Sequence, residues 1–329
     1  MHKKYMGIIG LVSLILIGFI FPNFGICAAS EDKGIDKTMA MAEALKESEE
    51  DAGLPAGYKQ KLGQAVTPTE EGEPPQELDA YIRFMPKVGA KNMPGGISFI
   101  QSTFEYSYNF KILGGLPVQF GLGSEYIGIT NTTEVEMPAH LTNIAFGAQT
   151  TFPLFFKNTY GRIGIAPSFP TDNWRVSSSA FRMPIQSLVI YQPTDKLTLV
   201  LGVAVFPSNE DPIAPIGGLI YKYNYKLTFN LIPPKPEISY SLSDNLNVFV
   251  EGGLESSEFQ VKKDGYKKAI LTYNEMRIGA GLRYSLNKFI DAIFSAGDIF
   301  RRNLKYRDSL GKISIKDGLY TEFRVEAKF

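Results

Sequence analysis

The chain has 329 residues, with 34 basic and 34 acidic side chains, 44% hydrophobic residues, one Cys and two His. The ordinary apolar fraction excludes disorder of the whole chain, and a single Cys excludes a disulfide framework or a cysteine-based metal cluster. Only one apolar run approaches the length of a membrane-spanning helix, which argues against a polytopic helical membrane protein.

Residues 1–29 are organised as an export signal. Residues 2–4 supply positive charge, residues 8–21 form an apolar run, and the small residues Ala28 and Ala29 offer a signal-peptidase site. The small residues and the polar stretch that follows favour cleavage over a permanent N-terminal membrane helix. We therefore expect an exported mature chain without cysteine, which suits an oxidising compartment.

An acidic arm separates this signal from a mildly basic body. Residues 30–79 carry 13 acidic and 5 basic side chains, a net charge of −8, whereas residues 80–329 carry a net charge of +6. Apolar positions at helical spacing in 35–45 predict either a solvated helix or an amphipathic helix that docks a periplasmic partner. Residues 52–78 are rich in Pro and Gly and predict a flexible linker. The basic excess of the body is too diffuse for a nucleic-acid site.

In the body, apolar residues alternate with polar ones. In 319–329 every second side chain is apolar once Thr321 is counted with them, a period that only a strand produces. The same alternation recurs in 104–112, 197–205 and 275–284. Soluble β-sandwiches also alternate, so the period alone does not identify the architecture.

Three features favour a transmembrane barrel over a sandwich. The alternating segments 246–261 and 268–284 exceed the about 9–11 residues with which a tilted strand crosses a bilayer. Tight turns alternate with longer polar loops, as in outer-membrane barrels; the predicted long loops are 86–96, 130–141, 170–177, 207–214, 262–267 and 303–317. Aromatic residues suited to the membrane interface cluster at the tight-turn rim, namely Phe110, Phe155, Phe156, Tyr160, Tyr191, Tyr221, Tyr223, Tyr240, Tyr284, Phe289 and Phe329.

The alternation divides residues 80–329 into fourteen strands with both ends in the periplasm. The weakest pair flanks Pro233, Pro234 and Pro236, because proline cannot donate to a strand ladder. Twelve strands are the alternative. The predicted fold class is all-β, a transmembrane antiparallel β-barrel of 12–14 strands, preceded by the signal peptide and the acidic, partly helical arm.

The polar faces of the strands are expected to line the lumen. Opposite charges across an aqueous lumen form the polar constriction of a diffusion channel, so the preferred function is passive or weakly selective passage of small hydrophilic solutes. If the charges instead pair and fill the interior, the barrel is non-conducting and its outer loops bind a partner. A third hypothesis makes the arm a plug or a tether. The predicted lumen-lining residues are Glu105, Lys111, Gln119, Glu125, Glu251, Glu255, Glu275, Arg277, Arg283, Glu322 and Arg324.

A membrane-embedded lipid hydrolase is the enzymatic alternative. It needs a nucleophile with a base in hydrogen-bond reach, yet His140 is the only His after the predicted cleavage site and no Gly-x-Ser-x-Gly motif accompanies it. We therefore predict that the protein is not an enzyme and that it binds no cofactor and no metal.

The final strand carries Phe323, Val325 and the terminal Phe329. It resembles the C-terminal signal by which the barrel-assembly machinery recognises bacterial barrels. The resemblance implies assembly into an outer membrane.

Further segments carry a resemblance to a known family: 231–237 with its three prolines, Ser239-Tyr240, Asp244-Asn245-Leu246, Arg301-Arg302 and Tyr306. They are similar to an uncharacterised bacterial outer-membrane β-barrel family, domain of unknown function 6268, over residues 80–329. The resemblance implies a barrel in the outer membrane of a Gram-negative bacterium, with the lipid bilayer as its main partner. It supplies no catalytic residues.

Overall fold

The computed structural model describes residues 76–112, 115–173, 178–207, 209, 212–263, 265–307 and 310–329. The predicted signal peptide 1–29, with its cleavage site, and the arm up to residue 75 lie outside the described residues. Within the described residues, no helix is both long and apolar enough to cross a membrane.

Most of the described chain is β-strand. The strands are β1 (Gln76–Gly89), β2 (Gly96–Ile112), β3 (Leu116–Asn131), β4 (His140–Pro153), β5 (Thr159–Ile165), β6 (Ile185–Thr194), β7 (Leu197–Val205), β8 (Ile213–Lys222), β9 (Leu227–Asn230), β10 (Glu237–Ser243), β11 (Leu246–Lys263), β12 (Tyr266–Asn287), β13 (Ile290–Tyr306), β14 (Lys312–Ser314) and β15 (Gly318–Lys328).

The strands form a closed antiparallel barrel. Each strand from β1 to β13 pairs with the next, β13 pairs with β15, and β15 pairs with β1. The short β14 continues the line of β15 between β13 and the end of β1, where Lys91 donates to Ser314 at 2.8 Å, so fourteen strands make up the wall. The predicted all-β antiparallel barrel and its fourteen strands are therefore confirmed, whereas the signal peptide and the acidic arm stay predictions. The seam extends to the last residue, where the Phe329 and Gln76 backbones exchange hydrogen bonds of 3.0 and 3.2 Å.

The alternating side chains give the wall an apolar outer face. On β12, Ile278 and Leu282 point outward and remain about half exposed, and Phe294 and Phe323 do so on β13 and β15. An exposed apolar band on every strand would be unfavourable in water and is the surface that acyl chains cover. The chain is therefore a membrane-spanning barrel of the outer-membrane type.

The two rims differ as predicted, with two exceptions. Turns at the periplasmic rim are as short as two residues, at 195–196 and 244–245, whereas the extracellular connection 166–184 is the longest. Contrary to expectation, 262–267 is not a long loop, because β11 continues to Lys263 and β12 begins at Tyr266. Tyr160 also departs from the predicted aromatic rim, since it packs inward against an apolar cluster.

The barrel wall is uneven in height. A high wall consists of β11–β13, β15 and β1–β4, with strands of 11 to 22 residues, whereas a low wall consists of β5–β10, with strands of 4 to 10 residues. A tilted strand climbs about 2.5 Å per residue. The four residues of β9 therefore climb about 10 Å, less than half of the roughly 25 Å apolar band of such a barrel.

Above the low wall, the two end strands of the high wall, β4 and β11, are joined by a short segment between them. Residues 167–172, the bridge segment, follow β5 and pair with β4, where the Thr142 N–H donates to the Thr171 carbonyl at 2.7 Å. On its other side the segment runs parallel to β11, where Gln260 donates to Pro170 at 3.0 Å and Asp172 donates to Gln260 at 3.1 Å. The extracellular half is thus a smaller ring, the upper ring, made of eight high-wall strands and the bridge segment.

Apolar side chains fill the upper ring. This apolar cap forms one cluster of buried residues that come from opposite sides of the ring, so its interior is a packed core. Its members are Met85, Ala90, Ile97, Phe99, Ile127, Ile129, Leu141, Phe259, Val261, Ala269, Leu271, Tyr273, Ile299, Leu304, Tyr306, Ile313, Ile315 and Tyr320.

A second apolar cluster lies on the inner face of the low wall. Ile232 belongs to it, and Tyr160 and Leu254 pack against it. The remaining members come from β6 to β8 and the residue that follows β7, and they are Leu188, Ile190, Val200, Ala204, Phe206, Ala214, Ile216 and Ile220.

The membrane assignment predicts a depth-dependent response to charge on the outer face. Ile278→Arg, far from the rim on β12, should destabilise the barrel by about 2–4 kcal/mol, whereas Leu286→Arg at the periplasmic end of the same strand should cost about 0–1 kcal/mol. Urea unfolding from lipid vesicles measures both values. Equal costs at the two positions would contradict the assignment.

Candidate functional site

A belt of buried polar side chains crosses the barrel interior beneath the apolar cap. We call this set the charge belt. It draws mainly on inward-facing positions of the high wall, and Arg83 at its centre is completely buried. Its members are Arg83, Gln101, Glu125, Lys235, Glu251, Glu255, Glu275, Arg277, Arg302, Glu322 and Arg324.

Arg83 on β1 is the hub of the belt. Its Nε and Nη2 donate to the same oxygen of Glu322 on β15, at 2.9 and 2.7 Å. Its Nη1 lies 2.6 Å from the Gln101 Oε1 on β2 and 3.3 Å from carboxylate oxygens of both Glu255 and Glu275. One guanidinium on β1 therefore contacts four other strands: β2, β11, β12 and β15. It can do so because its planar set of donors can serve several acceptors at once.

Gln101 carries the belt across the lumen. Its Nε2 donates to Glu125 on β3 at 2.9 Å and to Glu255 on β11 at 2.6 Å. Four strands of the wall, β12, β13, β15 and β1, separate β11 from β2. Direct contact between side chains of these two strands means that opposed parts of the wall meet in the interior.

Arg277 and Arg302 complete the upper side of the belt. Arg277 donates to Glu255 at 3.0 Å and to Glu275 at 3.2 Å, and the Tyr273 hydroxyl donates to the second oxygen of Glu275. Arg302 lies 3.7 Å from Glu275 and 5.0 Å over the ring of Phe99. That ring belongs to the apolar cap, so a cation–π contact joins the belt to the cap.

Glu251 anchors the lower side of the belt. It accepts hydrogen bonds from Ser295 at 3.0 Å and Tyr320 at 3.3 Å, and Lys235 lies 2.8 Å from its other oxygen. Lys235 comes from the connection between β9 and β10, so the low wall also contributes to the belt. Arg324 bonds Glu322 at 2.6 Å and continues the network toward the periplasm.

The arrangement is balanced in charge. Five carboxylates face four guanidinium groups and one amine in this belt. Removing ions from water costs several kcal/mol for each ion, so such a network persists only when nearly every group is paired. The belt is therefore a buried, paired network across the interior, and its pairing offsets the cost of burial rather than adding stability.

Seven of the eleven predicted lumen-lining residues belong to this belt: Glu125, Glu251, Glu255, Glu275, Arg277, Glu322 and Arg324. The other four lie nearer the periplasm. Glu105 and Gln119 are half-buried, and Gln119 is hydrogen-bonded to Ser107 and Gln149. Arg283 pairs with Glu237 at 3.2 Å, and Lys111 is exposed at the rim.

The sequence-based prediction missed the hub itself. Arg83 lies in a clear alternation in which Ile82 and Phe84 face lipid while Tyr81, Arg83 and Met85 face inward. Applying the strand period to the first strand would have found it. Nothing in the sequence indicates that Arg83 contacts β11 and β12, because that depends on the curvature of the wall.

The predicted assembly residues lie on the outer face of β15. Phe323 and Phe329 are exposed to the membrane side, and Val325 is half-buried beside them. Their recognition by an assembly machinery stays a prediction.

The sequence of the body matches one known family. The family described as domain of unknown function DUF6268 matches residues 119–325, more than half of the chain. The chain belongs to this family. The DUF6268 match spans the ten complete barrel strands from β4 to β13, the short β14 and parts of β3 and β15, and it excludes β1 with Arg83. No curated protein matches the chain significantly.

Solved outer-membrane barrels have a similar shape at low sequence identity. The COG4313 outer membrane channel from Pseudomonas putida F1 gives a TM-score of 0.45 at 10% identity, over 80% of this chain and 100% of that chain. LpxR from Salmonella typhimurium gives 0.38 at 10% identity, over 77% of this chain and 100% of that chain. The KdgM porin gives 0.32 at 10% identity, over 76% and 99%. At these values the likeness concerns the barrel shape alone.

The buried hub predicts a large effect from removing its charge. Arg83→Leu leaves Glu322, Glu255 and Glu275 without their shared partner and should destabilise the barrel by about 3–5 kcal/mol. Arg283→Leu removes a guanidinium from a partly exposed pair and should cost about 1 kcal/mol or less. Unfolding in urea compares the two variants, and similar losses would mean that the belt is not a tightly coupled network.

Proposed function

We propose that this protein is a narrow outer-membrane channel for small hydrophilic solutes, closed in this conformation at the charge belt. The observation that carries the proposal is the polar, partly exposed lining of the periplasmic half, which leads directly to the belt. A barrel with a purely structural role would not need a polar inner surface that leads from the periplasmic end to the charge belt.

The periplasmic half supports this proposal because its inward positions are polar or small. Ser107 and Asn109 are half-buried on β2, and Gly121 and Gly147 face each other across β3 and β4. Glycine at inward positions leaves room that a side chain would otherwise fill. Water can occupy such a vestibule, as in the polar interiors of large barrels.

The belt has the properties of a filter and a gate. Opposed charges across a constriction create a transverse field, which favours polar solutes over apolar ones. The belt and the cap above it obstruct the axis, so passage requires both the cross-lumen contacts of Arg83 and Gln101 and the packed side chains of the cap to separate. The proposed channel therefore opens rarely.

A non-enzymatic role fits the surroundings of His140. Its ring stacks on Tyr126 with centroids 5.9 Å apart, at the extracellular end of β4. This environment is that of a packed aromatic residue rather than of a general base.

A second candidate function is a non-conducting envelope barrel whose extracellular loops bind a partner. Two observations favour it: the charges of the belt pair across the interior, and buried apolar side chains of the described residues fill the upper ring. In either case we propose residence in the outer membrane, assembly through the Phe323, Val325 and Phe329 face, and a periplasmic partner for the acidic arm.

Conductance in planar bilayers tests the channel proposal. Wild-type protein should give infrequent current steps of small conductance. Replacing both Arg83 and Glu322 by Ser removes one positive and one negative group from the belt and should give larger or longer steps, because the constriction loses its central contacts.

The matched control replaces Arg283 and Glu237 by Ser. This pair lies in the wider periplasmic half, so the control should conduct like the wild type. If neither the wild type nor the belt variant conducts, the channel proposal fails and the envelope-barrel candidate replaces it.

A further inference from the structure

The low wall contains a second route into the barrel. Residues 231–236, the Pro loop, connect β9 to β10 well below the extracellular rim. The four residues of β9 climb about 10 Å and the seven of β10 climb about 17 Å, compared with an apolar band of about 25 Å. The Pro loop therefore lies at a depth where other parts of the wall still face acyl chains.

Above the level of the Pro loop, the described residues include no barrel strand between β8 and β11. β8 pairs with β9 only at Ile220–Lys222, and β10 pairs with β11 only up to Glu251. Higher on this side of β11, the described residues show backbone neighbours at Gly252 and Leu254, which bond the Pro loop, and at Gln260, where the bridge segment pairs with it. An open strand edge is unfavourable in hydrocarbon, so this part of the wall depends on the Pro loop for its closure.

Few interactions hold the Pro loop. Leu231 donates to Leu219 at 2.8 Å, and Pro236 and Pro234 accept from Gly252 and Leu254 at 2.8 and 3.0 Å. Its three prolines have no N–H group, so the loop can face lipid without leaving those donors unpaired. Among the described residues, Ile232 also donates to the Asn230 Oδ1 at 3.3 Å and packs in the second apolar cluster, and Lys235 lies 2.8 Å from Glu251.

The loop separates lipid from an amphipathic interior. Leu231 is exposed on the outer side, whereas the adjacent Ile232 is buried in the second apolar cluster. Ile232 packs directly over Gly218, where a Cβ atom would lie 2.8 Å from the Ile232 Cα. Behind this apolar surface lies Lys235, whose side chain is one-quarter exposed.

We infer that the Pro loop is a side gate for small amphipathic anions that enter from the outer leaflet. The apolar part of such a molecule matches the second apolar cluster, and its anionic group would take the place of Glu251 at Lys235. This inference goes beyond the proposed channel function, because it adds a second entrance with its own class of ligand. The axial route through the belt would remain the route for hydrophilic solutes.

A reversible cross-link tests the side gate. A Cβ atom on Gly252 would lie 3.0 Å from the Pro236 side chain, so Pro236→Cys with Gly252→Cys can tie the loop to β11. The control pair, Leu282→Cys with Phe294→Cys, joins directly opposed residues of β12 and β13 in the high wall. The only native Cys is residue 27, in the predicted signal peptide.

The probe is 8-anilinonaphthalene-1-sulfonate, an amphipathic anion with a permanent charge, and its slow entry into the inner leaflet of proteoliposomes is followed by fluorescence. Wild-type protein should accelerate this entry. Oxidation of the Pro236–Gly252 pair should reduce the rate to that of protein-free vesicles, and reductant should restore it, whereas the control pair should have no effect. Lys235→Met should also lose the acceleration.

Potassium chloride conductance of the same proteins separates this inference from the proposed channel. If the oxidised pair still admits the probe at the wild-type rate, or the wild type never accelerates it, the side gate is wrong, even where conductance is present. If the probe passes and no variant conducts ions, the side gate stands and the axial channel fails.

Discussion

The structure depends on one constraint, which is that backbone N–H and C=O groups in hydrocarbon need partners within the protein. The chain meets this constraint by closing its wall at two levels. Fourteen strands close at the periplasmic half through the β15–β1 seam, and the high wall closes again through the bridge segment between β4 and β11. The second closure makes the extracellular half narrow and leaves the low wall outside it. The packed cap and the depth of the Pro loop both follow from this geometry.

The interior follows from the same geometry. Because the second closure draws opposite parts of the wall together, inward side chains meet across the lumen instead of facing water. At the level of Arg83 they are charged and must pair, since an unpaired buried charge is costly. Above that level the inward residues are apolar and pack as a core, as Phe99 and Phe259 do. The interior therefore changes from a wet vestibule to a dry cap along one axis.

The sequence predicted the fold class, the fourteen strands and most of the belt, because a period of two assigns each strand residue to a face. It did not predict the second closure. The bridge segment contains Pro167 and Pro170 and has no alternation, so it reads as a loop, although its backbone pairs on both sides. One short segment of the sequence weakly indicates the apolar cap. Residues 126–129 on β3 are apolar or Gly throughout, which is typical of a strand buried on both faces. Contacts across the lumen depend on curvature, which no local pattern encodes.

The distance between the extracellular ends of β4 and β11 tests this account most directly. Spin labels on His140 and Lys262 measure it by double electron–electron resonance in lipid nanodiscs. With the bridge segment between the two strands, their backbones should lie about 10 Å apart, whereas opposite walls of a round barrel of fourteen strands would lie roughly 25 Å apart. A short, narrow distance distribution is the predicted result. A distribution centred at the round-barrel value would contradict the second closure.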